Sequence, residues 1–462
     1  MTRALLALLV AAPLAVRAAA PLPGGAAAPL AGGAAAPPIT LDEALALAAR
    51  QSHDLAISRA DAALAGADTL AAWQGLLPRL DLTSSAGHQF FGASKALQFD
   101  ATTSTLVPAG ASDYASYTLG LQLVQPLVDL SAWRRRDQAV AARRAADRTY
   151  DEASLSVAFD VTRRFYDLVS ATRSLAVLEK AARRSEELVG RADALFAAGR
   201  AQKADTFTAR VNLGNDRIAV EQARTRLVLA RADLATSLGQ PGDAALEVVP
   251  PAGLDGTVLA GQEPPPLGEL VAKALKHRPT VAAAAAQVEA ADAGVGLAEA
   301  GYLPTLSAQA SYGRSSTSNP VGSDGAFGNP SRAYAANVGV VLNWNLFAGR
   351  STEAAAQRAR ISAERSRATA ARTLDGVARE LTAARQTVIG QARQVALAEE
   401  NLGAADQGLA LARQRLEAGL ASQLEVRDAS LKLTQAELSL VQARIDHAVA
   451  LADLNRAVGG AL

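Results

Sequence analysis

The chain has 462 residues, with 46 basic and 45 acidic side chains and a net charge of +1. This balance gives no indication of a nucleic-acid-binding surface. No cysteine is present, which excludes disulfides, thiol nucleophiles, cysteine-ligated zinc and lipid attachment to a cysteine. Half of the residues are hydrophobic but only 4% are aromatic. This composition, rich in alanine, favours long, closely packed helices over a bulky globular core.

The first 20 residues resemble a secretory signal peptide. Arg3 precedes a short apolar run, and small residues follow near Ala18. The run is too short for a membrane-spanning helix, and Pro13 interrupts it. Residues 21–40 are rich in proline, glycine and alanine, and we predict that they form a flexible N-terminus.

The remainder of the chain reads as two copies of one unit. The sequence GLLPRL at Gly75 matches GYLPTL at Gly301. Further matches join Gly199 to Gly419 and Gly239 to Gly459, both with the same spacing. Each copy reads as helix, strand pair, very long helix, turn and return helix. We therefore predict a first repeat over 41–239 and a second over 267–462, with a proline-rich linker over 240–266.

Each repeat contains a long proline-free segment, at 131–199 and 351–419. Apolar or small residues recur in these segments every seven positions, which is typical of a coiled coil. The two series are Val161, Leu168, Leu175, Ala182, Val189 and Phe196, and Leu381, Val388, Val395, Leu402, Leu409 and Leu416. At about 1.5 Å per residue such a helix spans roughly 100 Å, too long for a compact domain. Gly199 and Gly419 are predicted to be the left-handed caps where these helices stop.

Four shorter segments alternate apolar with polar or small residues, as strands with one apolar face do. Each is about 8–11 residues long, the length of a tilted strand that crosses a bilayer. The candidate membrane-facing residues are Leu82, Leu119, Leu121, Leu123, Leu306, Ala308, Val338, Val340 and Leu342. Four strands cannot close a barrel, and lipid does not tolerate open sheet edges. The chain is therefore expected to oligomerise.

These features together resemble the outer membrane efflux protein family, typified by TolC. The similarity lies in the duplicated plan, the Leu-Pro before the first strand of each half, and the motifs around Pro126 and Trp344–Gly349 that close each strand pair. It also lies in the Ala-Gly turns at Gly199 and Gly419, each followed by an acidic residue. The resemblance covers residues 41 to about 458.

The resemblance implies an α+β membrane protein: a long helical coiled-coil barrel joined to a transmembrane β-barrel. Each chain contributes four strands, and a homotrimer contributes 12. The protein would sit in the outer membrane with a large periplasmic portion, without a cofactor and without catalysing a reaction. Its partners would be two further copies of itself, outer-membrane lipid, a periplasmic adaptor (membrane fusion) protein and an inner-membrane pump. Drug efflux, metal efflux and protein secretion share this duct, so the transported substrate is left open.

The resemblance also suggests functional residues at the helical turns. The adaptor-facing tips are expected at Gly199, Arg200, Gly419 and Leu420. The candidates for a periplasmic gate are Asp428, Glu425 and Asp205. Three copies of a carboxylate around a narrow axis would favour cations. The other interpretation of these acids is helix capping and surface solvation, and Arg427 could form an ion pair within the tip.

Two other classes of function compete with this interpretation. A soluble periplasmic coiled-coil adaptor also has a helical hairpin, although one hairpin is usual and this chain has two. An enzyme is disfavoured because no phosphate-binding loop or Ser-His-Asp arrangement is evident. The histidines, His53, His88, His277 and His447, are scattered without metal-binding spacing, so no metal site is predicted.

Overall fold

The computed structural model describes residues 38–94, 97–100, 104–108, 112–200, 202–244, 246–251, 254, 264–317 and 334–460. The predicted signal peptide and residues 21–37 lie outside these ranges. Residues 38–40, the end of the segment predicted to be flexible, are held in place. The Ile39 amide donates to the Glu247 carbonyl at 2.8 Å, and the Ile39 carbonyl accepts from Val249 at 3.0 Å. Segments 38–40 and 246–249 therefore form a short parallel contact.

The described residues contain the same order of elements twice, apart from one additional hairpin. The first half comprises α1 (Leu41–Gln51), α2 (His53–Ala72), a 3₁₀ turn (Trp73–Gly75), β1 (Arg79–Phe91), β2 (Leu97–Asp100), β3 (Thr105–Pro108), β4 (Ser112–Val128), α3 (Leu130–Ala197) and α4 (Lys203–Ser237). The second half comprises α5 (Leu267–His277), α6 (Pro279–Ala300), β5 (Thr305–Thr317), β6 (Tyr334–Asn343), α7 (Ser351–Glu417) and α8 (Gln423–Val458).

The structure departs from the predicted elements in three places. The helix predicted before each strand pair is two helices, which break at Ser52 and at Arg278. Arg278 has an extended backbone because Pro279 follows it. The segment between the first two predicted strands contains an additional hairpin, β2–β3, and the start of β4. The strands β1 and β4 have 13 and 17 residues and are longer than the 8–11 predicted.

The predicted long helices are confirmed. α3 has 68 residues and α7 has 67, and each is therefore roughly 100 Å long. Most of the seven-residue series lies on the packed face: Leu168 is 1% exposed and Val388 is 1% exposed. The first series ends in Phe196, which is 43% exposed next to the turn.

The best-buried core lies midway along the long helices, where the short helices and the linker pack on them. Leu246 and Leu254, from the predicted linker, are buried in a cluster with Phe165 of α3 and Leu234 of α4. A second cluster joins Leu270 of α5 to α7 and α8. These two linker residues are thus part of the core.

The two halves are alike in three-dimensional detail. Gly239 ends the first half with a φ of +74°, and a Cβ there would collide with the Gln51 carbonyl oxygen at the end of α1. Gly459, its counterpart in the second half, has a φ of +98°, and a Cβ there would lie 2.9 Å from the backbone of His277 at the end of α5. Only glycine fits either position.

A buried ionic cluster ties the second half together. Arg278 is 6% exposed, and its Nη1 lies 2.6 Å from Glu380 Oε2 on α7 and 3.3 Å from the Ala457 carbonyl on α8. Arg456 donates to the other Glu380 oxygen at 2.6 Å. Burial opposes ionisation of Glu380, but hydrogen bonds and charge from the two arginines hold its pKa below the ordinary value. Glu380 is therefore the shared anion of the cluster.

Among the described residues, no helix has the length and apolar character needed to cross a membrane.

Replacement of Glu380 by Gln should destabilise the protein strongly, because it leaves buried Arg278 without its main counter-ion. The expected loss is roughly 3 kcal/mol, seen as a lower midpoint of unfolding in detergent. The control Glu353→Gln removes half of an exposed ion pair with Arg350 and should leave the midpoint unchanged. Equal midpoints for the two variants would contradict this role of the cluster.

The stability should also fall as the pH drops below about 6.5. His447 is 2% exposed, and burial lowers its pKa from the ordinary value of 6.5. The neutral ring is therefore favoured in the folded protein, and stability is lost as the pH falls from 6.5 through the lowered pKa. Protonation of Glu380, in contrast, reduces the stability only below the ordinary pKa of this group, 4.5.

The measurement is the unfolding midpoint between pH 8 and pH 5. His447→Gln should reduce its dependence on pH, whereas exposed His53→Gln should retain the wild-type dependence. An unchanged pH profile in His447→Gln would show that this ring does not titrate with unfolding.

Candidate functional site

The first candidate surface is one face of the four-stranded antiparallel sheet, in which the strand order is β1-β4-β5-β6. The register pairs Leu82 with Leu121 and Leu123 with Ala310, which in turn pairs with Val338. Directly paired residues point to the same face of a sheet. All nine residues proposed from the sequence therefore share one face: Leu82, Leu119, Leu121, Leu123, Leu306, Ala308, Val338, Val340 and Leu342.

The apolar face is uncovered in the single chain. Val338 is 88% exposed, Leu82 69% and Leu342 63%. The opposite face carries mostly small or polar residues, among them Thr83, Gly120, Gln122, Ser307, Gln309, Ser311, Asn337 and Gly339. A contiguous exposed apolar face of this size marks a surface that contacts lipid or another protein.

Both edges of this sheet are open. β1 and β6 form the two ends of the strand order. β1 is 13 residues long and β6 is 10 residues long. Each edge offers a row of backbone amide and carbonyl groups for a further strand. The sheet therefore has the form of a segment of a larger closed structure.

The second candidate surface comprises the two helical turns at the far end of the molecule. Gly199 and Gly419 have φ values of +69° and +73°, so the predicted left-handed caps are confirmed. The backbone amide of Arg200 donates to the Leu195 carbonyl at 2.9 Å, and the backbone amide of Leu420 donates to the Arg415 carbonyl at 2.8 Å. Both turns thus have the same closing geometry.

Two of the three acidic candidates have local structural roles. The Asp205 carboxylate accepts from the Gln202 amide at 3.1 Å and caps α4. Glu425 accepts from Arg415 at 2.9 Å across the second turn. Asp428 pairs with Lys432 at 2.7 Å, but its side chain is 61% exposed, so this pair holds it weakly.

Arg427 forms an ion pair within the tip, which is the alternative that the sequence left open for it. Its guanidinium lies 2.6 and 2.9 Å from the two carboxylate oxygens of Asp216 on α4. It also donates to Ser185 of α3 at 2.6 Å, and Ser185 is hydrogen-bonded to Asp216. Bidentate pairing of this kind is strong and directional. This Arg427–Asp216–Ser185 cluster fastens the start of α8 to α3 and α4.

The cluster is well shielded from water. The side chains of Arg427 and Asp216 are only 12% and 15% exposed. A crevice beside it, between the two turns, is also lined by Asp205 and Leu424. The duplicated position of Arg427 is Phe207 in the first half, so the two tips differ in chemistry at this point.

The described residues contain no group of three or more His, Asp or Glu side chains placed to hold a metal ion. The apolar sheet face lies at one end of the long helices, and the two turns lie at the other end.

Comparison with known proteins identifies the family to which this arrangement belongs. The sequence profile of the outer membrane efflux protein family matches residues 44–240 and 270–460. The chain belongs to the outer membrane efflux protein family. This membership shows that the alternative of a soluble periplasmic adaptor is wrong, and it supports a role in transport.

Solved structures share the fold over most of their length. The CmeC outer membrane channel of Campylobacter jejuni has a TM-score of 0.77 at 18% identity, covering 91% of this chain and 85% of CmeC. The outer membrane protein VceC of Vibrio cholerae has a TM-score of 0.73 at 20% identity, covering 91% of this chain and 96% of VceC. The predicted combination of a helical tunnel with a β portion is thus confirmed for this family member.

A sequence relative is the proteases secretion protein PrtF of Dickeya chrysanthemi. It is 26% identical over 294 residues, which are 63% of this chain and 60% of PrtF. The match therefore spans less than two thirds of that protein.

Removal of the Asp216 charge should release the start of α8. Asp216→Asn leaves buried Arg427 without a counter-ion, which should cost roughly 3 kcal/mol and loosen the second turn. The measurement is the rate of chymotrypsin cleavage at the turn, where Leu420 and Leu424 are 72% and 71% exposed. The control Asp428→Asn, which removes only an exposed pair, should be cleaved at the wild-type rate. Equal rates for Asp216→Asn and the wild type would show that the cluster does not restrain the turn.

Proposed function

We propose that this protein is the outer-membrane channel of a tripartite efflux pump or a type I secretion system. The observation that carries the proposal is the coupling of an open-edged, apolar-faced sheet to helical hairpins about 100 Å long. Membership of the outer membrane efflux protein family supports it. In this proposal the protein sits in the outer membrane, with the helices in the periplasm and the pore as the route to the exterior.

The working unit of the proposal is a homotrimer. Open edges at β1 and β6 cannot remain unpaired in hydrocarbon, because lipid supplies no hydrogen bonds to backbone groups. Pairing β6 of one copy with β1 of the next, repeated three times, closes a barrel of 12 strands. The nine apolar residues then face lipid, and the face that contains Gln122 and Gln309 lines the water-filled interior.

The turns are the proposed contact with a periplasmic adaptor protein, and through it with an inner-membrane pump. Gly199, Arg200, Gly419 and Leu420 form this end of the molecule. Leu420 is 72% exposed, and such an apolar side chain at a projecting turn suits a protein partner. The same end would carry the gate.

Among the acidic candidates for the gate, Asp428 has the strongest case. Asp205 caps α4 and Glu425 is paired across its own turn, so both carboxylates are already engaged. Asp428 is exposed, and it follows Arg427, which fixes the direction of α8 at this point. In a trimer, three Asp428 carboxylates near the axis would attract cations and repel anions.

The function can be tested by reconstituting the purified protein in planar lipid bilayers. It should form ion-conducting pores of low conductance and with preference for cations. Asp428→Ala should raise the closed-state conductance or reduce the cation preference. The control is Glu221→Ala, which removes an exposed acid farther along α4 and should conduct as the wild type does.

The two levels of the proposal fail separately. A protein that forms no pores would overturn the channel function. Pores of wild-type conductance and selectivity in Asp428→Ala would leave the channel in place and remove Asp428 from the gate.

A further inference from the structure

We propose that Phe207 of one copy packs between Ala405 and Ala436 of a neighbouring copy, forming an apolar seam between subunits at the periplasmic tip. The inference rests on the homotrimer proposed above and adds the chemistry by which its copies recognise each other.

One spatial relation connects the long and return helices of the two halves. An ion pair joins Arg224 to Glu179, between α4 and α3, and its counterpart joins Arg444 to Glu399, between α8 and α7. Both members of the pair are shifted along the chain by the same amount. The turn glycines, Gly199 and Gly419, and the glycines that end the two halves, Gly239 and Gly459, repeat with that same spacing. Positions related by this shift are therefore equivalent in space along these helices.

The contact between α8 and α3 has a counterpart under this relation. In a symmetric ring of copies, the relation carries α3 onto α7 of the same chain and carries α8 onto α4 of the next chain. The face that α8 uses against α3 is buried: Ala448 is 8% exposed. Its counterpart on α4, Val228, is 61% exposed in the single chain. The equivalent surface of α4 is thus present and uncovered.

The contact within the chain is polar, whereas its counterpart between copies is apolar. Within the chain, Arg427 meets Ser185 and Asp216. At the equivalent positions stand Phe207, Ala405 and Ala436. All three polar members have been replaced by apolar ones, so the contact changes its chemistry on both sides at once.

This joint replacement keeps the contact complementary. Phe207 is 55% exposed in the single chain, and Lys203 Nζ lies over its ring, 5.8 Å from the ring centroid. Two alanines leave room for the aromatic ring where Asp216 would oppose it. An arginine at 207, by contrast, would lie buried against alanines with its charge unpaired, which is costly.

A second position shows the same change independently. Within the chain, Arg191 of α3 lies 3.8 Å from Glu417 of α7. Their counterparts in the other half are Leu411 and Ala197, and Leu411 is 57% exposed in the single chain. A charged contact within the chain again corresponds to an apolar contact between chains.

The consequence is that polar and apolar seams alternate around the tip. The polar seam accepts only the α8–α3 contact of the same chain, and the apolar seam accepts only the α4–α7 contact of the next. A mismatched pairing would bury an arginine against alanine or an aspartate against phenylalanine. The α4 helix of one copy therefore pairs with α7, and not with α3, of its neighbour.

The test uses cysteine cross-linking, for which the cysteine-free chain is suited. Full-length Phe207→Cys and Ala436→Cys chains, carrying different tags, are expressed together and oxidised in membranes. A disulfide-linked dimer that contains both tags is expected. The matched control pairs Asn215→Cys with Ala436→Cys, since Asn215 is exposed on α4 and its counterpart Gln435 is exposed on α8. This control should give no mixed dimer.

A second variant tests the chemistry. Phe207→Arg alone should reduce the fraction of trimer that survives mild heating in SDS. Addition of Ala436→Asp and Ala405→Ser, which rebuilds the polar cluster between chains, should restore that fraction to at least half of the wild-type value.

The outcomes separate this inference from the proposed function. A trimeric mass in detergent without the cross-link between positions 207 and 436, or without rescue by the rebuilt cluster, overturns the apolar seam and leaves the channel intact. A monomeric mass overturns the trimer and the seam together.

Discussion

A strand that faces hydrocarbon must have its amide and carbonyl groups paired, because lipid offers no water to replace a missing partner. In the proposed channel this requirement governs the sheet of β1, β4, β5 and β6, whose apolar residues lie on one face and whose two edges are open. Further copies of the chain close the sheet there, and the proposed trimer and its pore follow from this one need.

The long helices connect the sheet to the turns at the other end of the molecule. The core around Leu246 joins the two halves midway along these helices, and the Glu380 cluster ties the second half together. At the turns, the Arg427 cluster fastens α8 to its neighbours. The fastened contact within the chain and the apolar contact proposed between chains give the tip two kinds of seam, each with a different sensitivity to charge.

Much of this fold could be predicted from the sequence because its signals are periodic and repeated. The seven-residue series places Leu168 and Val388 in the core, and the alternation at β4 and β6 identifies the apolar sheet face. Gly199 and Gly419 mark the turns because a left-handed backbone favours glycine. Other features carry weaker signals. The β2–β3 hairpin has only four residues in each strand, too few to show a clear period. The break at Ser52 has no proline to mark it. The Arg427 cluster joins residues that lie 31 to 242 positions apart, and no local pattern reports a contact over that distance.

The central claim, that copies of this chain close each other's sheet, can be tested by residue-level hydrogen exchange on the protein purified in detergent. The amides of β1 and β6 should exchange as slowly as those of the inner strands β4 and β5, because each edge is paired with a neighbouring copy. Fast exchange at every second amide of β1 and β6, with β4 and β5 protected, would show edges that remain open and would contradict the claim.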